Sequence, residues 1–216
     1  MNQDAKSVID PLLRWAEMAG RRPPWRTAAG PYLLAVAEVL LQKTKAEHVE
    51  PVWRELSSRF PTATDLVQAA DDEIRSIVAG LGLGNQRTQR LKAMAGAMTG
   101  VGGATSSLPG LGPYGSSIVR LAMEQDLQSD PIDGNVARVM CRYQGLSFER
   151  GEPRKKREVR ASVAALLQTQ EDSTGKLRVL YALVDLGEAV CKPGRPNCRA
   201  CPLATTCAFA LAGVDG

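Results

Sequence analysis

The chain has 216 residues, 44% of them apolar and 23% charged, with a formal net charge of +4 and a pI near 8.9. That length fits one large or two small domains with ample core, and the modest positive balance suits a polyanionic partner without requiring one. No run approaches the roughly 18–20 apolar residues of a membrane span, and no charged-then-apolar leader precedes the cysteines, so a reducing, cytoplasmic setting is expected.

Apolar residues recur at helical spacing from the start. Asp4–Ala19 sets Val8, Leu12, Leu13 and Trp15 on one side, and Pro31–Thr44 is an apolar helix opening on a proline. Glu47–Phe60 continues with Val49, Val52, Trp53 and Leu56. Pro61-Thr-Ala-Thr-Asp-Leu reads as a stop and a capped restart, and Asp71-Asp72-Glu73 places acids at the next positive helix end. Further helices are predicted over Asn85–Met98, Pro113–Glu124, Gly134–Tyr143, Arg157–Gln168 and Gly175–Leu186. Strand signals are absent, so the fold class is all-α. Thr99–Ser107 and Gly145–Arg157 read as loops, and the run Arg154-Lys155-Lys156-Arg157 reads as a solvated face.

Four cysteines then follow as Cys191-x6-Cys198-x2-Cys201-x5-Cys207. Loops of that length can turn four thiolates toward one metal centre. Disulfides would leave Cys141 unpaired, and zinc knuckles pair two short C-x2-C loops, of which only one is present here. A cubane iron–sulfur cluster is the favoured reading, with zinc the alternative. Lys192, Arg195 and Arg199 sit on or beside this tied loop, where cations suit phosphate.

Leu108-Pro109-Gly110-Leu111-Gly112 joins two helical segments. Its glycines permit positive φ and leave amides bare before the helix at Pro113, a ready anion site. Asp133 stands 21 residues past Gly112, at the mouth of a new helix, where an N-cap is expected. Glu38 lies among Ala37, Val39, Leu40 and Leu41, so partial burial of a functional carboxylate is expected. His48 is the only histidine and is read as structural or phosphate-facing.

Taken together, the hairpin, Ile132-Asp133-Gly134-Asn135-Val136, Asp185-Leu186-Gly187 and the cysteine run resemble the helix-hairpin-helix DNA glycosylases of the endonuclease III and MutY type. Ala37–Thr44 and Gly80–Arg87 match as well, and the resemblance runs from Pro24 to Cys207. It implies two α-helical domains with DNA and an extruded nucleotide between them. Residues 1–30 would pack with the C-terminal domain, 31–127 would form a six-helix domain, and 128–216 would carry the cluster loop at 191–207. It further implies a [4Fe-4S] cluster on Cys191, Cys198, Cys201 and Cys207, and Asp133 in catalysis. DNA would be met by Gln42, Leu83, Gln86, Arg87, Leu108, Gly110, Gly112, Lys192 and Arg195, with Gln42 and Leu83 filling the space of the flipped base. The segment before the hairpin is short, so the helix leading into it is expected to be about one turn.

Tyr114 occupies the position that is lysine in bifunctional endonuclease III enzymes and usually serine in MutY enzymes. Tyrosine there, with Lys45-Ala46-Glu47-His48-Val49 and Gly82–Arg87, is similar to the thymine-DNA mismatch branch. The chain ends nine residues after Cys207, so no lesion-sensing domain of the MutY kind is expected. The implied activity is monofunctional removal of thymine or uracil opposite guanine from double-stranded DNA. Tyr114 would lie against the sugar and Glu38 against the base, in a cytoplasmic, nucleoid-associated monomer with weak or no strand cleavage. Adenine removal from mispairs, or a non-catalytic DNA-binding module, are the alternatives.

Overall fold

The computed structural model describes residues 3–27, 30–100, 108–124, 131–146 and 157–213. Among the described residues all regular structure is helical, as the apolar spacing predicts. The described residues form eleven α-helices: α1 Gln3–Ala19, α2 Pro31–Leu40, α3 Ala46–Arg59, α4 Ala63–Gln68, α5 Asp71–Val78, α6 Gly84–Met98, α7 Pro113–Ala122, α8 Gly134–Tyr143, α9 Arg157–Leu167, α10 Ser173–Ala189 and α11 Ala208–Leu211. The chain divides into two compact units, one formed by Met1–Arg21 with Leu127–Gly216, the other by Arg22–Asp126.

In the unit Arg22–Asp126, α2 is central. Gly30 and Pro31 start it, and Leu34, Ala35, Val36, Ala37, Val39 and Leu40 are buried against α3, α6 and α7. Each such leucine contributes about 1.5–3 kcal/mol. Trp25 stands edge-on to Trp53 of α3, with ring centroids 5.9 Å apart, and Trp53 Nε1 donates to Leu33 O at 2.8 Å. Trp25 therefore belongs with this unit, and the chain enters it at Arg22. Thr62 and Asp65 form the capping box of α4, with Thr62 Oγ1 accepting from Asp65 N at 3.2 Å and Asp65 Oδ2 accepting from Thr62 N at 2.9 Å. Ile74, Ile77 and Val78 of α5 and Leu91, Met94 and Ala95 of α6 complete the core.

Helix α2 stops at Leu40, four residues short of the predicted Thr44, and Lys43 takes φ +58° in the turn that follows. The reason is tertiary. The Arg87 guanidinium, from α6, occupies the carbonyls of Val39 and Leu40 and so closes the helix end.

In the other unit, α10 is central, packing on α1, α8 and α9. Its Asp185 is buried and accepts from Arg21 N at 2.9 Å and Arg21 Nε at 3.0 Å, so the end of α1 is pinned to α10. Gly187 meets α8 so closely that a Cβ would stand 2.6 Å from Asn135 Cβ. That contact fixes the start of α8, which begins at Gly134 and buries Val136, Ala137, Val139, Met140 and Cys141. The short helix expected before the hairpin and most of both predicted loops, including Arg154–Lys156, lie outside the described residues.

Candidate functional site

In the unit Arg22–Asp126 the hairpin is a tight turn. Leu111 N donates to Leu108 O at 3.2 Å, Pro109 and Gly110 take the two central positions, and Gly110 has φ +78°. A Cβ at Gly110 would stand 2.8 Å from Arg90 O, so only glycine fits on both counts. Leu108 is buried and anchors the turn from below, while Gly112 is exposed and caps α7, followed by Pro113 in the first turn. A helix start that follows an exposed glycine is an arrangement able to receive an anion.

Gln42 does not project freely from the end of α2. Its Nε2 donates to Gly110 O at 2.7 Å, and its Oε1 accepts from Arg90 Nη1 at 2.7 Å. It is a strut for the hairpin, with both ends of the amide committed. Arg87 also departs from the expected DNA contact. It is 4% exposed and donates to Leu40 O and Gly82 O, each at 2.9 Å, to Thr44 Oγ1 at 2.7 Å, and more distantly to Val39, Gln42 and Leu81 carbonyls. Burial first, and then neighbouring Arg90, pull its pKa below the ordinary arginine value. With its fork spent on backbone carbonyls, it organises two loops from inside rather than facing a phosphate.

One of those loops presents Leu83. This residue caps α6 with φ +56°, ψ +35°, a left-handed conformation unusual for a branched side chain, and it is 62% exposed. Gln86, in the first turn of α6, is exposed too. An exposed leucine on a constrained backbone at a helix start can act as a wedge. His48 is exposed, 3.7 Å from Glu47 Oε1, and belongs to no cluster of candidate site residues.

Glu38 is half-buried on α2, and Tyr114 is half-buried as the second residue of α7. The fold brings them onto adjoining turns, because Glu38 packs against Gly115.

In the other unit, Asp133 is the N-cap of α8. Its Oδ1 accepts from Val136 N at 2.7 Å and its Oδ2 from Asn135 Nδ2 at 3.0 Å, so both oxygens have fixed directions. Asn135 is held in turn by Arg138 Nη2 at 2.7 Å. Arg138 also donates to Gly187 O at 2.8 Å and to Cys191 O at 2.7 Å. One guanidinium thus joins the support of the carboxylate to the first residue of the cysteine loop. Arg142, one turn later, donates to Lys192 O at 2.7 Å, Gly194 O at 3.1 Å and Cys191 Sγ at 3.4 Å, and lies over the Phe209 ring at 4.9 Å. The expectations from sequence include neither arginine. The available signal was their spacing, four apart on one face of the helix that Asp133 opens.

Cys191, Cys198, Cys201 and Cys207 line one cavity, walled also by Arg142, Val190 and Phe209. Among the described residues, no three histidine, cysteine, aspartate or glutamate side chains form a site for a single metal ion. The four sulfurs surround a space instead. Burial pushes the Cys201 thiol up to about 11; a backbone hydrogen bond at Leu203 opposes this, and the neighbouring cysteines add to it. Four cysteine sulfurs lining one cavity, none of them in a disulfide, are a donor set whose chemistry suits a compact metal–sulfur group better than a lone cation. Lys192 and Arg195 are exposed on the loop the arginines tie down.

Residues 36–167 match the model of the HhH-GPD superfamily base excision DNA repair protein, and the chain belongs to that family. A thymine/uracil-DNA glycosylase of Pyrobaculum aerophilum is 29% identical to it, over 95% of this chain and 93% of that protein. The human adenine DNA glycosylase is also 29% identical, over 91% of this chain but 38% of its own length. Among solved structures, that of a thermostable thymine-DNA glycosylase superposes with a TM-score of 0.76 at 25% identity, covering 96% of this chain and 97% of that one.

Proposed function

We propose that this protein is a monofunctional DNA glycosylase that removes thymine or uracil mispaired with guanine. The observation that carries the reading is Tyr114: a phenol stands at the second position after the hairpin, on the turn against which Glu38 packs. A phenol cannot form the imine through which an amine would cleave the strand, so base release stops at an abasic site. Relatives named as thymine/uracil-DNA glycosylases, matched over nearly their whole length, support the same reading.

In this account the hairpin amides grip a phosphate without regard to sequence, and Lys192 and Arg195 add charge. Leu83 enters the stack as the nucleotide leaves it, next to a loop whose Gln42 braces the hairpin. Glu38 meets the base edge and Tyr114 lies against the sugar. Asp133, oriented by Val136 N and Asn135, stabilises positive charge on the sugar as the glycosidic bond breaks, or guides water to it. The four cysteines would hold a [4Fe-4S] cluster, which would brace the loop and supply no step of the reaction. The protein would act as a monomer on double-stranded DNA, in the cytoplasm beside the nucleoid. Among the described residues no helix is long and apolar enough to cross a membrane.

A panel of duplexes with G:T, G:U, A:G and A opposite oxidised guanine tests this. Product from G:T or G:U that appears only after hot alkali is expected. Product from the adenine duplexes alone would make the protein an adenine glycosylase, strand scission without alkali would end the monofunctional reading, and no product with any duplex would leave a DNA-binding module. Iron and acid-labile sulfide near four each per chain are expected in brown protein purified without air; stoichiometric zinc in colourless protein would overturn the cluster.

A further inference from the structure

Gly115 follows Tyr114 in the first turn of α7 and is buried. A Cβ placed on it would stand 3.2 Å from Glu38 Oε2, 3.4 Å from Glu38 Cβ and 3.5 Å from Leu111 Cδ2. The carboxylate arm of Glu38 therefore fills the space that any other side chain at this position would claim. Backbone conformation does not ask for glycine here: α7 runs through the residue without a left-handed φ, unlike Gly110 with its φ of +78°. Glycine is also a poorer helix former than alanine. A buried helical glycine that gives up helix propensity and receives an acid in place of its own side chain has the acid's position as its role.

We propose that Gly115 is a positioning residue for Glu38, and through it a determinant of which base is accepted. With no side chain at 115, the Glu38 carboxylate packs onto the first turn of α7, in the turn that carries Tyr114. A methyl group at 115 sits closer to Oε2 than ordinary contacts allow, so the flexible end of Glu38 must swing by some tenths of an ångström into the space the base would use. Thymine, which carries a 5-methyl group, loses more room than uracil. The inference rests on Glu38 serving the base, and the test separates the two.

Wild type, Gly115→Ala, Glu38→Gln, Glu38→Asp and Gly115→Ala/Glu38→Asp are compared by melting temperature and by single-turnover excision on G:T and G:U duplexes. Gly115→Ala is expected to melt no lower than wild type, since alanine favours the helix, yet to excise thymine about tenfold more slowly, as loss of one aligned hydrogen bond would cause, and uracil less so. Glu38→Asp alone slows excision, but in the Gly115→Ala background the shorter arm withdraws from the new methyl and recovers part of the thymine rate. Gly115→Ala with wild-type rates on both duplexes, a slowing that merely tracks a lower melting temperature, or no recovery in the double variant would each overturn the role of Gly115. Glu38→Gln with wild-type rates, or no excision by wild type at all, would instead remove the reading of Glu38 on which the inference stands.

Discussion

Replacing Arg87 by methionine separates the structure from the expectation that this residue meets DNA. Methionine keeps much of the apolar stem and removes every donor. Three of the lost hydrogen bonds are short, to Leu40 O at 2.9 Å, Gly82 O at 2.9 Å and Thr44 Oγ1 at 2.7 Å. Bonds from a charged donor are worth about 1.5–3 kcal/mol each. Counting only these three at the lower end gives about 4.5 kcal/mol. Release of a buried guanidinium from its desolvation, and water reaching the exposed Gly82, return part of that. A net loss of about 3 kcal/mol is expected, which at roughly 4 °C per kcal/mol lowers the melting temperature by about 12 °C. Circular dichroism melts and urea titrations measure it, with Arg87→Lys expected between wild type and methionine because a point charge cannot replace the fork. If Arg87→Met is within about 1 kcal/mol of wild type while its DNA affinity falls and the salt slope flattens by about one phosphate, the arginine is a phosphate contact and the reasoning fails.

Gly110→Ala combines a left-handed φ with a Cβ 2.8 Å from Arg90 O; it should cost about 1–3 kcal/mol and weaken DNA affinity in a low-salt titration. Asp133→Asn keeps the N-cap geometry and should retain DNA binding while lowering single-turnover excision by roughly 10³-fold or more, because an amide cannot stabilise developing positive charge as an anion does. Near-normal excision would remove Asp133 from the chemistry. Tyr114→Lys should gain strand cleavage and a borohydride-trapped adduct with DNA, whereas efficient trapping by the wild type would show that another amine acts.

The sequence makes local structure legible where the cause is local. Thr62 with Asp65, and Asp133 before an amphipathic run, announce their helices because caps are satisfied within three residues. The end of α2 was not legible, because it is closed by a guanidinium 47 residues away from Leu40. For the same reason the resemblance alone sends Gln42 and Arg87 to DNA: their long-range partners Gly110, Arg90, Leu40 and Thr44 lie at least 43 residues away and appear only with the fold. The cysteine spacing singles out the four residues that line one cavity but gives no sign of Arg138 and Arg142, whose acceptors include carbonyls and a sulfur of a loop about 50 residues on. Gly115 is opaque in one dimension, since only packing shows that Glu38 occupies its side-chain space.

The left-handed Leu83 has a consequence for how association is timed. Arg87 N donates to Leu83 O at 2.9 Å, while Arg87 Nε holds Gly82 O at the same distance, so the backbone on both sides of the leucine is set when the unit folds. The ordering entropy of that loop, about 1–2 kcal/mol per residue, is thus spent before any duplex arrives. What Leu83 has left to lose is its side-chain rotation, a fraction of that amount. In the proposed wedge role it would meet a duplex as a fixed tooth rather than as a segment that folds on contact, so that probing of a base stack would be repeated at little entropic cost for each attempt.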